Sequence, residues 1–173
     1  MKRGDKLKKQ LKNSNFYIFL AFLIMAVLFY SSSQTYELQS QVGLLDKLLS
    51  NHPFKEQLKG ISFSYAGSEV SIQARGYAKF VEFFIRKGAH FGTYFLLGGS
   101  WFIGLNMRIK QPLLIGVVAW LTATGYAGLD EYHQMLTGGR TPLFQDVMLD
   151  SIGALTAVVL CLLVIGIKKL KKK

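Results

Sequence analysis

The sequence predicts an all-α membrane protein: a four-transmembrane-helix bundle with a small extracellular α/β segment between helices 1 and 2. Three observations predict it. Four apolar, almost uncharged stretches each reach the length that a bilayer demands, about 17 to 25 residues. Positive charge collects at the ends and in one short connection of the 173-residue chain, whose formal net charge is +11. A longer polar stretch between the first two apolar runs shows short helical and strand-like patterns.

The elements follow in order. Residues 1–15 form a basic tail with Lys2, Arg3, Lys6, Lys8, Lys9 and Lys12. Residues 16–33 are charge-free and rich in Phe, Leu and Ile, and give the first span. A secretory signal would also place an apolar run after basic residues. This run is longer than an h-region of about 7–15 residues and no A-x-A site follows, so a retained anchor is predicted. Residues 34–88 form an extracellular segment. Within it, 37–49 read as a short amphipathic helix with Leu38, Leu45, Leu48 and Leu49 on one face, broken by Asn51-His52-Pro53. Ile61, Phe63 and Tyr65, then Val70 and Ile72, alternate with polar residues around Gly67-Ser68, which predicts a β-hairpin. A lone hairpin is marginal in water, so it is expected to rest on the membrane or on helix ends. Phe80, Phe83 and Phe84, interspersed with Lys79, Glu82, Arg86 and Lys87, predict an interfacial helix leading into the second span. That span covers 89–107, and the third covers 112–129, with Pro112 suited to a first helical turn. Residues 130–146 form an outer polar loop, 147–167 the fourth span, and 168–173 a second basic tail.

Lysine and arginine bias sets the orientation. The two tails and the connection holding Arg108 and Lys110 carry 13 positive charges against one acid, Asp5, while the other side holds 8 positives and 9 acids. Both termini are therefore placed in the cytoplasm. The tail lysines suit anionic lipid, but setting topology suffices to explain them. Nucleic acid is excluded as a partner, because the charge sits in tails and not across a folded face. The single cysteine, Cys161, lies in an apolar run and forms no internal disulfide.

With the topology set, the polar residues can be placed by depth. Lys87, His90 and Tyr94 fall on one face of the outer turns of the second span, at spacings of three and four. The third span ends in Asp130, Glu131, His133 and Gln134; Arg140 follows Gly138-Gly139; and Asp146 and Asp150 open the fourth span. All fall at the outer edge of the bilayer, where charge within a span is costly and groups gather to meet partners. Arg140 is expected to pair with Asp146 or Glu131, and Lys87 with Asp130 or Asp150. One reading is a salt-bridge cluster that locks the bundle. The other is a ligand site, in which Lys87 and Arg140 hold a phosphate or carboxylate and the acids hold an amine or a sugar hydroxyl. A metal is disfavoured, since no H-E-x-x-H or Cys-pair spacing appears around His90, Asp130, Glu131, His133 and Asp146. No Walker, G-x-S-x-G or Rossmann motif is present, and no cofactor is expected.

These residues carry a family resemblance. Arg86-Lys87-Gly88-Ala89-His90-Phe91-Gly92-Thr93-Tyr94 resembles the K-x-x-H-x-x-x-Y signature of the VanZ-like family. Asp130-Glu131-Tyr132-His133-Gln134, then Gly139-Arg140-Thr141 and Asp146-Val147, resemble its D-E-x-x-Q…G-R…D-V signature, and Ser31-Ser32-Ser33-Gln34 its serine-glutamine stretch. The resemblance runs from about residue 16 onward, with 35–85 outside it, and Asp150 stands where a smaller polar residue such as Asn is expected. It implies a link to lowered susceptibility to teicoplanin, a lipid-tailed glycopeptide, without implying a mechanism. The reading favoured here is a non-enzymatic membrane protein that binds a lipoglycopeptide or a lipid-linked cell-wall precursor at the outer leaflet. Lys87, His90, Tyr94, Asp130, Glu131, Gln134, Arg140 and Asp146 would line the site. The alternatives are a small membrane enzyme on a lipid-linked substrate, with Glu131 or His90 as acid/base, and a structural accessory protein. Oligomeric state is left open.

Overall fold

The structure, a computed structural model, describes residues 3–138 and 141–171. It is mostly helical. Four long helices, α1 (Arg3–Ser32), α6 (Tyr77–Asn106), α7 (Pro112–Gly138) and α8 (Phe144–Leu170), carry short elements between the first two: α2 (Tyr36–Gln39), α3 (Val42–Leu48), α4 (Lys55–Leu58), strands β1 (Ser62–Tyr65) and β2 (Ser68–Ser71), and α5 (Ile72–Arg75). Among the described residues, three helices are long and apolar enough to cross a membrane: 8–32 of α1, 112–137 of α7, and all of α8.

Each of these apolar helices buries one narrow face. On α1, Ser14, Ala21 and Leu28 are seven apart and buried, while Phe16, Phe19, Phe22 and Phe29 are more than half exposed. On α7 the buried face is Ile115, Ala119, Ala123 and Ala127, four apart. On α8 it is Ala154, Ala157 and Val158. Small residues inside and large apolar residues outside invert the pattern of a water-soluble bundle. They fit helices that meet by close backbone approach and face lipid elsewhere.

The remaining long helix, α6, packs against α1, α7 and α8. It is less apolar because its surroundings are protein: Tyr94, Leu97, Gly98, Ser100, Phe102 and Gly104 are buried along it. Tyr94 and Leu97 join Ala21, Leu28, Ala123, Ala127 and Ala154 in the central core, and Phe102 joins Ile115, Ala119 and Val158 in a second layer. Glycine sets how near the partners come. A β-carbon on Gly153 would lie 2.5 Å from the Phe91 carbonyl oxygen, and one on Gly98 would lie 2.8 Å from that of Ala154. Hydrogen bonds then lock the helices at several heights: Trp120 Nε1 and Thr124 meet the Ser151 hydroxyl at 2.9 and 2.8 Å, and the Tyr126 hydroxyl donates to the Met25 carbonyl at 2.5 Å. At the basic end, Ser14 donates to the Gly104 carbonyl at 2.8 Å, and Arg108 donates to Ser14 and to Asn15.

The 34–76 segment departs in detail from the sequence expectation. The helix expected over 37–49 is two helices, α2 and α3, parted at Ser40-Gln41. There the backbone turns so that the Ser40 hydroxyl and Gln41 N–H donate to the Glu82 carboxylate, at 3.1 and 2.5 Å. The hairpin forms in the expected place, with Phe63 opposite Val70 and Tyr65 opposite Ser68. Its turn residues Ala66 and Gly67 both have positive φ, 50° and 78°, as a tight turn between twisted strands requires. Ile72 starts α5 and does not extend the strand. The hairpin rests on α6: Val70, Ile72, Tyr77 and Phe80 form a small core, and Phe63 and Tyr65 contact Phe83 edge-on. Residues 77–106 form one continuous helix, so the stretch expected as a separate interfacial helix is the first part of α6. Likewise the polar loop expected over 130–146 is shorter, since α7 runs on to Gly138.

If backbone approach at Gly153 sets the α6–α8 distance, Gly153→Ala must push the helices apart. Its melting temperature in detergent should fall by several degrees, in line with an overpacking cost of about 1–3 kcal/mol. Gly125→Ala, where nothing lies within 4 Å of a β-carbon, should melt at or above wild type.

Candidate functional site

Each long helix brings polar side chains to the end of the bundle opposite its basic end. The middle of α6 supplies Lys87 and His90, the last turns of α7 supply Asp130, Glu131 and Gln134, the start of α8 supplies Asp146 and Asp150, and the end of α1 supplies Ser32. The hairpin and α2 lie over them. Between these elements is a half-open cavity of about 630 Å³.

Lys87 and Asp146 form its centre. Lys87 Nζ lies 2.5 Å from Asp146 Oδ1, and the Tyr65 hydroxyl donates to that same oxygen at 2.5 Å. The ammonium also sits 4.8 Å from the Tyr65 ring centroid and 5.5 Å from that of Phe83, so aromatic faces share its stabilisation. Both partners of the ion pair are only about one-fifth to one-quarter exposed. Lys87 was expected to pair with Asp130 or Asp150; it does neither. Those two carboxylates lie deeper and meet other donors. Asp130 accepts from the Ser32 hydroxyl and, at 3.2 Å, from Gln134 Nε2. Asp150 Oδ2 is 3.4 Å from His90 Nδ1. Buried Glu131 accepts from the Leu143 N–H at 2.8 Å, which ties the end of α7 to the entry of α8. Arg140 and its expected pairing with Asp146 or Glu131 lie outside the described residues.

Of the predicted site residues, Lys87, His90, Glu131, Gln134 and Asp146 line the cavity. Asp130 and Tyr94 do not. Asp130 is buried beside Ser32, and Tyr94 is fully buried in the central core. Among the described residues, no group of three or more His, Cys, Asp or Glu side chains is placed to hold a metal ion.

Sequence reasoning missed the cavity's other wall. Tyr36, Tyr65 and Arg75 line it, as do Lys79, Glu82 and Arg86, which the sequence placed in an interfacial helix and not in the site. Glu82 is buried and accepts from Tyr36, Ser40 and Gln41, so it anchors α2 and the start of α3 to α6. Burial first, and then the bond to Glu82, raises the pKa of the Tyr36 hydroxyl. Tyr65 is raised further, by burial and then by its bond to Asp146. The four- and seven-residue spacings from Arg75 to Lys79 to Arg86 were a usable signal; the placing of Tyr65 over Lys87 had none.

This arrangement coincides with the residues that carry the family signature, and a family model confirms the assignment: VanZ/LLP1 matches residues 16–165. The chain belongs to the VanZ/LLP1 family. No curated protein and no solved structure gives a significant match. Family membership makes this a membrane protein of a group linked to glycopeptide resistance. In this VanZ-type chain the signature residues act on each other: its lysine meets the aspartate of its D-V pair, and the first aspartate of its D-E-x-x-Q run meets both the glutamine of that run and the serine stretch.

Tyr65 offers a pH test of the site. Its folded-state pKa is raised, so the stabilisation it gives is complete below its unfolded value, about 10, and is lost as pH rises through the folded value. Tyr65→Phe should therefore melt lower than wild type from pH 7 to 9, and the gap should close at strongly alkaline pH. Melting curves of both proteins across that range check it.

Proposed function

We propose that the chain spans the bacterial cytoplasmic membrane four times, with both termini in the cytoplasm, and binds an amphiphile at its outer face. In this reading it lowers the action of lipoglycopeptides such as teicoplanin, or handles a lipid-linked cell-wall precursor. The observation that carries the proposal is the half-open cavity of paired charges at the bundle end away from the basic tails. An amphiphile presents a polar head at that level and an apolar tail to the lipid-facing helices beside it.

The fourth span is α6. Its 30 residues rise about 45 Å, more than the ~30 Å hydrocarbon layer, so its charged first turns can stand in the interface while 89–106 cross. Packing among three apolar helices accounts for much of its lower hydropathy, since Tyr94, Gly98, Ser100 and Gly104 are buried against protein. The 13 positive charges of the tails and the α6–α7 connection favour the cytoplasmic side for that end.

A small membrane enzyme acting on a lipid-linked substrate is the second reading, favoured by one feature: His90, backed by Asp150, lines the cavity beside Glu131. That constellation suits proton transfer. An altered lipid after incubation with pure protein would select this reading.

The topology is tested with single cysteines in a Cys161→Ser background. A membrane-impermeant thiol reagent added to intact spheroplasts should label position 68 and not position 169; the reverse pattern would invert the assignment. Function is tested by teicoplanin susceptibility in a deletion strain carrying wild type, Lys87→Met or Glu131→Gln at matched membrane levels. Protection by wild type alone is expected. Equal susceptibility of all three strains would remove the resistance reading.

A further inference from the structure

Arg75, Lys79 and Arg86 line the cavity on the same wall as Lys87. Lys79 and Arg86 are seven apart on one stripe of α6, and Arg75 closes α5, with only Gly76 between it and the start of α6. Among the described residues, none of the three forms an ion pair. The salt bridges among the described residues join Lys87 to Asp146 and His90 to Asp150. Of the cavity carboxylates, Asp146 pairs with Lys87 and accepts from Tyr65, while Glu82 and Glu131 are held by neutral donors, Tyr36, Ser40 and Gln41 for the one and the Leu143 N–H for the other.

The two guanidiniums are nevertheless held. Arg75 lies 5.4 Å from the Phe83 ring centroid and donates from Nε to the Glu69 carbonyl at 2.8 Å. Arg86 lies 5.1 Å from the Tyr36 centroid and donates to Gln39 Oε1 at 3.2 Å. Ring faces and neutral acceptors orient a guanidinium without cancelling its charge. One wall thus presents three cations without an ion-pair partner among the described residues, two of them pre-positioned, and the lining holds four Lys or Arg side chains against three carboxylates. A sugar hydroxyl or a zwitterionic head would leave that charge largely unanswered. A doubly or triply charged phosphate oxyanion, with several acceptor oxygens for forked donors, answers it.

We propose that the cavity takes a phosphomonoester or diphosphate headgroup gripped by Arg75, Lys79 and Arg86. The inference rests on the amphiphile reading above and names the head that the amphiphile carries. Phe84 and Ile85, apolar and about half exposed on the adjoining face of α6, mark where an attached chain meets lipid.

The test uses the full chain in detergent and three probes: farnesyl phosphate, farnesol and inorganic pyrophosphate. Wild type should bind farnesyl phosphate at least about tenfold more tightly than farnesol, the value of one hydrogen bond to a charged group. Arg75→Gln and Arg86→Gln should each weaken that binding by about tenfold, and Lys79→Gln by less, with unchanged melting curves. Lys110→Gln, at the basic end, should leave it intact. Equal binding of farnesyl phosphate and farnesol would overturn the phosphate assignment and leave the amphiphile reading standing. Pyrophosphate binding as tightly as farnesyl phosphate would uphold a phosphate site for a free anion and overturn the amphiphile reading. Binding of none of the three would overturn both.

Discussion

The approach of α6 to α8 is the constraint on which the rest depends. These helices run parallel, joined through the antiparallel α7, and they meet backbone to backbone because Gly98 and Gly153 present no β-carbon to Ala154 and Phe91. A parallel pair in fixed register keeps the same offset along its length. At the cavity end that register brings Lys87 to Asp146 and, one turn deeper, His90 to Asp150. The ion pairs thus report a helix position that packing has already set. In lipid this division is expected, since tails compete for apolar surface as well as a neighbouring helix does, and close contact between small residues must supply the attraction.

The polar end is also a matter of compensation. Placing carboxylates and a lysine beside hydrocarbon is unfavourable unless each meets a partner, and here nearly every one does. Asp130 meets Ser32 and Gln134, Glu131 meets a backbone N–H, Asp146 meets Lys87 and Tyr65, and Glu82 meets three donors from the α2–α3 junction. Arg75 and Arg86 likewise meet neutral acceptors, but among the described residues neither they nor Lys79 form an ion pair.

The segment between α1 and α6 shows how a small unit becomes stable beside a membrane bundle. A four-residue strand pair has too little core to stand alone. It acquires one by laying Val70 and Ile72 on Tyr77 and Phe80, and Phe63 and Tyr65 against Phe83, all on the extension of α6 beyond the apolar section. The extension therefore serves as a foundation for the hairpin and as a wall of the cavity.

The apolar runs, the hairpin and the gathering of acids and bases at one level were legible in the sequence, because each follows from local composition and period. Apolar length marks a span, alternation marks a strand, and spacings of three and four place Lys87, His90 and Tyr94 on one face. Which acid Lys87 would meet was not legible. That choice depends on the α6–α8 offset, set by glycine contacts sixty residues apart in the chain. For the same reason, Tyr65 over Lys87, and Glu82 as the anchor of α2, could not be read from their neighbours. Composition alone placed α6 among the apolar spans, whereas the tertiary structure made it the protein-facing helix, since only packing decides whether a polar residue looks at lipid or at a partner. The sequence by itself marked the long helices, the hairpin and the polar residues that gather at one end of the bundle; the tertiary structure decided the pairings, because pairing is set by the distance and register between helices, and no local pattern encodes either.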